Sequence, residues 1–309
     1  MFWTKKYINR ISLSDVLGFR KKTLYFLTNH IYKNYHKVEM PKSDGSIRTL
    51  HVPCDLLKAV QRRINDKLLS CEEISKYATA YRVGGSTLSN ASPHVDKQVV
   101  LKLDITHFFD HLIYPVVKEK AFPKNKYSEK NRILLTLLCI YKEAIPQGAP
   151  TSPAISNIIM KDFDNTVGKW CEKKKIAYTR YCDDMTFSGN FNPKPVIKFV
   201  KKQLKNMGLY LNEKKTVIAR KGQKQRVTGI VVNEKLGIPS EYKRRIRQEI
   251  YYCKKFGISS HLERMGRGDT DRYLSKLLGK INYVLAVEPD NIQMQENKIW
   301  VQEAIQKRL

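Results

Sequence analysis

The chain has 309 residues and a mass of 36.0 kDa, and its 57 Lys+Arg against 29 Asp+Glu give a formal net charge of +28 and a pI near 9.8. At 42% hydrophobic and 10% aromatic the composition excludes a disordered polar chain and supports a folded core or several subdomains. So large a positive excess repels itself unless a polyanion is near; nucleic acid is the polyanion to expect, with an anionic membrane surface as the alternative.

In chain order, residues 1–34 read as helical, with Ser14 and Asp15 as caps before the apolar run Leu24–Ile31. Asp44-Gly45 within Lys42–Arg48 predicts a hairpin turn, and Arg48–Val52 its second strand. Asp55 starts a helix through Leu57, Val60, Ile64 and Leu68, flanked by Lys58, Arg62, Arg63 and Lys67. Val99–Asp104 is an apolar run ending in an acid, which predicts a buried strand.

Ser152 as an N-cap with Pro153 at the first helical position predicts a helix, with Ile155, Ile158, Ile159 and Phe163 as its stripe. Ala177–Tyr181 and Met185–Ser188 are β-prone segments around Cys182-Asp183-Asp184, a pattern that predicts a tight hairpin. Past Gly237 three helices are expected. The first runs from a Ser240 cap to Gly257, the second carries Leu274–Leu285, and the third carries Trp300–Ile305. Their many Lys and Arg either cover a solvated bundle or touch nucleic acid.

The six cysteines form no CxxC pair, so a zinc site is not expected, and most lie in apolar stretches as free thiols. No run approaches a membrane span. The N-terminus MFWTKKYINR carries no signal-peptide apolar region. A reducing cytosol is therefore expected, and the sequon Asn90-Ala91-Ser92 reads as a chance match.

Two adjacent acids raise each other's pKa or hold a cation. Asp183-Asp184 between β-prone segments is therefore a candidate metal turn. Asp104, at the end of a buried strand, completes the site if the two segments are neighbours in a sheet. Mg²⁺ takes a few carboxylates, waters and substrate phosphates. Two such ions roughly 3.5–4 Å apart clamp the attacking and leaving oxygens of a phosphoryl transfer. That chemistry needs several acids and no nucleophile on the protein.

Four ordered motifs carry a family resemblance. Tyr181-Cys182-Asp183-Asp184 resembles the YxDD box of reverse transcriptases, and Leu103–Asp110 resembles their first catalytic motif. Ile145–Pro153 is similar to their PQG motif, and Gly208–Thr216 to the lysine motif that follows. Two further features resemble the retron branch: Asn90-Ala91-Ser92-Pro93-His94 is similar to the NAxxH motif, and Val227-Thr228-Gly229 to the VTG motif. Cys182 departs from the alanine that retron enzymes often have there.

The resemblance implies an α+β right-hand polymerase. Residues 1–35 would form an N-terminal helical segment, 36–235 the fingers and an antiparallel-sheet palm, and 236–309 a basic helical thumb. It implies that Asp104, Asp183 and Asp184 hold two Mg²⁺ ions, with Mn²⁺ as a substitute. Lys215 would serve the departing pyrophosphate. Lys42, Arg48, Ile105, Phe109, Gln147 and Gly148 would receive the dNTP, with Phe109 excluding a 2′-hydroxyl or else packing in the core. RNA contacts would come from Arg62, Arg63, Asn90, His94, Val227, Thr228, Gly229, Arg244 and Arg247.

The implied activity is RNA-directed DNA synthesis on a cognate structured non-coding RNA (msr-msd), primed from a 2′-hydroxyl. The product is a branched RNA–DNA molecule (msDNA) in an anti-phage system with an effector protein. A group II intron-like or diversity-generating reverse transcriptase is the alternative within the family; a non-catalytic RNA-binding subunit is the alternative outside it.

Overall fold

A computed structural model describes residues 12–41, 45–266 and 269–306. Helices α1 (Leu13–Leu17) and α2 (Lys21–Asn29) precede a hairpin of β1 (Tyr35–Pro41) and β2 (Ile47–Pro53). Then come α3 (Asp55–Ile64), α4 (Thr87–Ala91), β3 (Val99–Asp104), α5 (Tyr114–Lys120), α6 (Glu129–Cys139) and α7 (Ser152–Lys173). A hairpin of β4 (Ala177–Tyr181) and β5 (Asp184–Gly189) leads to α8 (Pro193–Lys205) and β6 (Val217–Arg220). A small hairpin, β7 (Arg226–Val227) with β8 (Ile230–Val231), precedes α9 (Ser240–Phe256), α10 (Ile258–Arg264), α11 (Thr270–Val287) and α12 (Ile292–Gln306).

The chain divides into two compact units. One comprises residues 1–85 and 101–218, the other residues 86–100 and 219–309. The second unit thus takes in a short segment, 86–100, from far upstream of its helices.

Several local outcomes differ from the sequence reading for physical reasons. Ser14 and Asp15 lie inside α1; Ser12 holds the N-cap position, and its hydroxyl meets that of Ser14 at 2.7 Å. The predicted helix from Asp55 to Leu68 is helical throughout, but its last turn, Asn65–Leu69, widens to a π-turn. Pro239 holds the N-cap position of α9 and Ser240 is its first residue. Cys139, Cys171 and Cys253 are buried, Cys54 and Cys182 are half-buried, and Cys71 is exposed; all six are free.

In the first unit the sheet order is β4-β5-β3-β6, with β4 and β5 antiparallel. β3 is buried along nearly its whole length, which is why it reads as a continuous apolar run rather than an alternating one. α7 lies along the core with Ile155, Ile159, Phe163, Val167 and Cys171 inward. Gly168 is needed there, because a Cβ would lie 2.1 Å from two ring carbons of the buried Tyr77. Alanine is the better helix former by about 1 kcal/mol. Even so, Gly168→Ala is expected to lower stability by about 1–3 kcal/mol through overpacking, read as a lower denaturant midpoint.

The second unit is a helical body built on Ile246, Ile250, Leu274, Leu277, Ile281, Val284 and Val301. Glu288 accepts from Lys243 at 2.8 Å and from the Ile238 N–H at 2.7 Å. These partners hold its carboxyl below the usual range against the opposing effect of burial. Among the described residues no helix is long and apolar enough to cross a membrane.

Candidate active site

The last residue of β3 is Asp104, nine-tenths buried. Beyond it the Ile105 N–H donates to the Asp183 carbonyl at 3.2 Å. That bond sets the end of β3 beside the β4–β5 turn. Tyr181 pairs with Asp184, so Cys182 and Asp183 form a two-residue loop. Cys182 has φ +62°. Positive φ at the first central position alone is the pattern of a type II′ turn, which favours glycine there. This turn is therefore strained at Cys182.

The segment after α8 completes the cluster. Asn212 N–H donates to the Asp104 carbonyl at 2.8 Å, Thr106 N–H to the Tyr210 carbonyl at 2.9 Å, and Ile105 bridges Leu211. This pairing carries Lys215 to Asp104, where its Nζ donates to Oδ2 at 3.0 Å. The Lys215 pKa is raised, chiefly by that bond, and further by the charges of Asp104, Asp183 and Asp184. The Asp184 pKa is raised by burial first and then by the Asp183 charge; Lys102 opposes this, Asp104 adds to it and Lys215 opposes it. Three acids and two lysines thus act on one another. Lys102 is a member that sequence reading missed. Its position two residues before Asp104 on a strand, hence on the same face, is the signal that finds it.

Among the described residues no three His, Cys, Asp or Glu side chains are grouped to form a ready-made metal cage. The donor chemistry nonetheless fits a hard divalent cation. Mg²⁺ is usually held by one or two carboxylates, with waters and substrate phosphates filling the remaining positions. The Lys215 ammonium on Asp104 is a cation already drawn to this carboxylate.

Gln147 and Gly148 occupy a turn docked on β2. The His51 N–H donates to the Gln147 carbonyl at 2.7 Å. Gly148 has φ +119°, and a Cβ there would lie 2.8 Å from the His51 carbonyl oxygen. Arg48 is exposed on β2 opposite Met40. Lys42 lies outside the described residues. Phe109 is half-buried, edge-on to the buried Phe108 at 5.4 Å. The Ile105 side chain is buried, and its N–H donates to the Asp183 carbonyl. Arg62 and Arg63 are exposed on α3.

In the second unit, Val227 ends β7, and Thr228-Gly229 is the two-residue β7–β8 turn. Thr228 (φ +45°) and Gly229 (φ +86°) are both left-handed, the pattern of a type I′ turn. The Thr228 hydroxyl accepts from Asn90 Nδ2 at 3.4 Å and donates to the Thr87 carbonyl at 3.1 Å. Asn90, His94 and Val227 are buried. The expectation that these three side chains face RNA is corrected accordingly: burial leaves them no surface to offer. Burial, with the Lys97 charge added, pushes His94 down to about 3, so it is neutral at physiological pH. Arg244 and Arg247 are exposed on α9, with Arg247 Nη1 donating to Gln293 at 3.2 Å.

The family model described as reverse transcriptase (RNA-dependent DNA polymerase) matches residues 40–232. The retron Ec83 reverse transcriptase of Escherichia coli is 31% identical over 86% of this chain and 86% of its own length. The retron Ec86 reverse transcriptase of the same organism is 33% identical over 78% of this chain and 76% of its own. The retron Mx65 reverse transcriptase of Myxococcus xanthus is 31% identical over 84% of this chain, which spans 63% of that enzyme. The chain belongs to the reverse transcriptases, the RNA-directed DNA polymerases, and within them to the retron branch. RNA template and deoxynucleotides are the substrates this class implies.

Proposed function

We propose that the chain copies the structured non-coding RNA (msr-msd) of its own retron. Synthesis starts from an RNA 2′-hydroxyl and yields a branched RNA–DNA molecule (msDNA), in a cytoplasmic bacterial system that resists phage through an effector protein. The observation that carries the chemical part is the adjacency of the β3 end to the Asp183–Asp184 turn, with Lys215 bonded to Asp104.

Asp104, Asp183 and Asp184 would hold two Mg²⁺ ions, with Mn²⁺ as substitute. When bound, these ions supply charge neutralisation of the triphosphate and a more acidic attacking hydroxyl. Asp104 keeps Lys215 protonated, and Lys215 neutralises the departing pyrophosphate or gives it a proton. Arg48, with Lys42, holds the triphosphate. Gln147 touches the incoming nucleotide from the Gly148 turn. Exposed Arg62, Arg63, Arg244 and Arg247 meet RNA phosphates. The Thr228–Gly229 turn offers its backbone to the folded RNA, with Asn90 bracing it from beneath. Recognition of this kind reads shape, phosphates and 2′-hydroxyls rather than duplex sequence.

Phe109 excludes the 2′-hydroxyl of a ribonucleotide by clash. Phe109→Ala is expected to raise ribonucleotide incorporation relative to deoxynucleotide by about 10- to 100-fold, the size of a relieved steric conflict. Competition between dCTP and CTP in primer extension reads this directly. Unchanged selectivity assigns the ring to core packing alone.

The test of the physiological reading is purification of the protein from its host, followed by sequencing of the nucleic acid that accompanies it. The expected result is one structured RNA joined through a 2′ linkage to DNA copied from it. A mixture of unrelated RNAs with no branched species overturns the proposal.

A further inference from the structure

Arg180 on β4 and Asp164 on α7 form an ion pair in which both side chains are fully buried. Arg180 Nε donates to Asp164 Oδ1 and Oδ2 at 2.8 and 3.1 Å. Its Nη2 donates to Asp164 Oδ2 at 2.6 Å and to Asn157 Oδ1 at 3.0 Å. Its Nη1 donates to the main-chain carbonyl of Cys182 at 2.7 Å. The Tyr178 hydroxyl donates to Asp164 Oδ1 at 2.8 Å, and Asn157 Nδ2 to the Ala80 carbonyl at 2.8 Å.

A buried ion pair adds little net stability over apolar side chains of the same volume. Core packing therefore does not explain it. What an apolar pair cannot supply is the bond to the Cys182 carbonyl. That carbonyl belongs to the residue with φ +62°, in a loop position that favours glycine. Fixing it sets the peptide plane from which Asp183 departs. The planar guanidinium does this while engaging Asp164 in a fork, which a lysine point charge cannot do. The anchor also reaches the other end of the site. α7 starts just past the Gln147–Gly148 turn, and the hydroxyl of its first residue, Ser152, donates to the Pro146 carbonyl at 2.7 Å.

We propose that the buried Arg180–Asp164 pair, steadied by Asn157 and Tyr178, is a positioning element that clamps the Cys182 carbonyl and so holds the Asp183–Asp184 turn at a fixed place relative to α7. The role rests on the reading of Asp183 and Asp184 as metal-binding carboxylates.

The informative variant is Arg180→Met combined with Asp164→Leu, which replaces the pair by apolar groups and leaves no lone buried charge. Arg180→Lys is the second variant and keeps the charge without the fork. Mn²⁺ binding by calorimetry, kcat and dNTP KM, RNA affinity and thermal melting are measured on each. The double variant is expected to fold and bind RNA as the parent does. Its Mn²⁺ affinity and kcat are expected to fall about 10- to 100-fold, the usual effect of losing a group that orients metal ligands, with dNTP KM nearly unchanged. Arg180→Lys is expected to fall between the two.

Parental Mn²⁺ affinity and kcat in the folded double variant overturn the clamp; if that variant does not fold, the same result in Arg180→Lys does so. Asp183→Asn runs beside them. If it too keeps Mn²⁺ binding and extension, the carboxylate reading falls and the clamp with it. If it alone loses both, only the clamp is wrong.

Discussion

Asp183→Asn is expected to lower dNTP incorporation on an RNA template by about 10³-fold or more, equal to roughly 4 kcal/mol of barrier. RNA affinity is expected to stay within about twofold of the parent, since phosphate contacts come from Lys and Arg. The fold gives reason to expect no loss of stability. Asp184 already has its pKa raised by burial and by the Asp183 charge, so a neutral amide at 183 relieves repulsion. The Ile105 N–H bonds the Asp183 main chain, which the substitution leaves in place. Asp66→Asn, on an exposed acid, serves as the control and is expected to extend primers as the parent does. Primer extension, fluorescence anisotropy with labelled RNA and a thermal melt together read the result. A variant that melts and binds normally and still polymerises removes Asp183 from the chemistry.

Much of this site was legible because its anchors are strong local signals. The continuous apolar run Val99–Leu103 requires burial on both faces, so the strand ending at Asp104 followed from the sequence alone. The β-prone segments around Cys182–Asp184 left little alternative to a hairpin. Ser152-Pro153 marked the start of α7 to within one residue: Thr151, not Ser152, holds the N-cap position, and Ser152 is the first helical residue. Partnerships of polar residues were not legible, because they depend on which side chains meet across the fold. Arg180 lies in Ala177–Tyr181, where alternation permits an arginine facing either way; only α7, placed alongside, supplies Asp164 and Asn157. Asn90 and His94 belong to a motif similar to one of the retron branch, yet both side chains are interior. Polar identity suggested a binding surface, whereas the Thr228 turn, with a β-branched residue at φ +45°, needs bracing from within. A short motif fixes residue types without saying whether they touch a ligand or hold the backbone that does.

Gly148→Ala is expected to reduce kcat/KM for dNTP by about 100-fold, roughly 2.7 kcal/mol, mainly through a higher dNTP KM. Two independent obstacles meet at this residue. Its φ of +119° is a conformation that side chains rarely adopt. A Cβ there would also lie 2.8 Å from the His51 carbonyl oxygen and 3.2 Å from the carbonyl carbon, both main-chain atoms of β2. The strand cannot yield without disturbing the His51 N–H bond to the Gln147 carbonyl at 2.7 Å. The turn must therefore shift and carry Gln147 with it. Strain of this kind costs of order 1–3 kcal/mol of stability, so a lower melting temperature is expected alongside. Gly257→Ala separates the two obstacles: φ is +79° there, with nothing within 4 Å of the added carbon. That variant is expected to lose some stability and to keep its dNTP KM. If Gly148→Ala behaves like Gly257→Ala, with parental dNTP KM and kcat, the turn tolerates displacement and Gln147 does not carry the nucleotide.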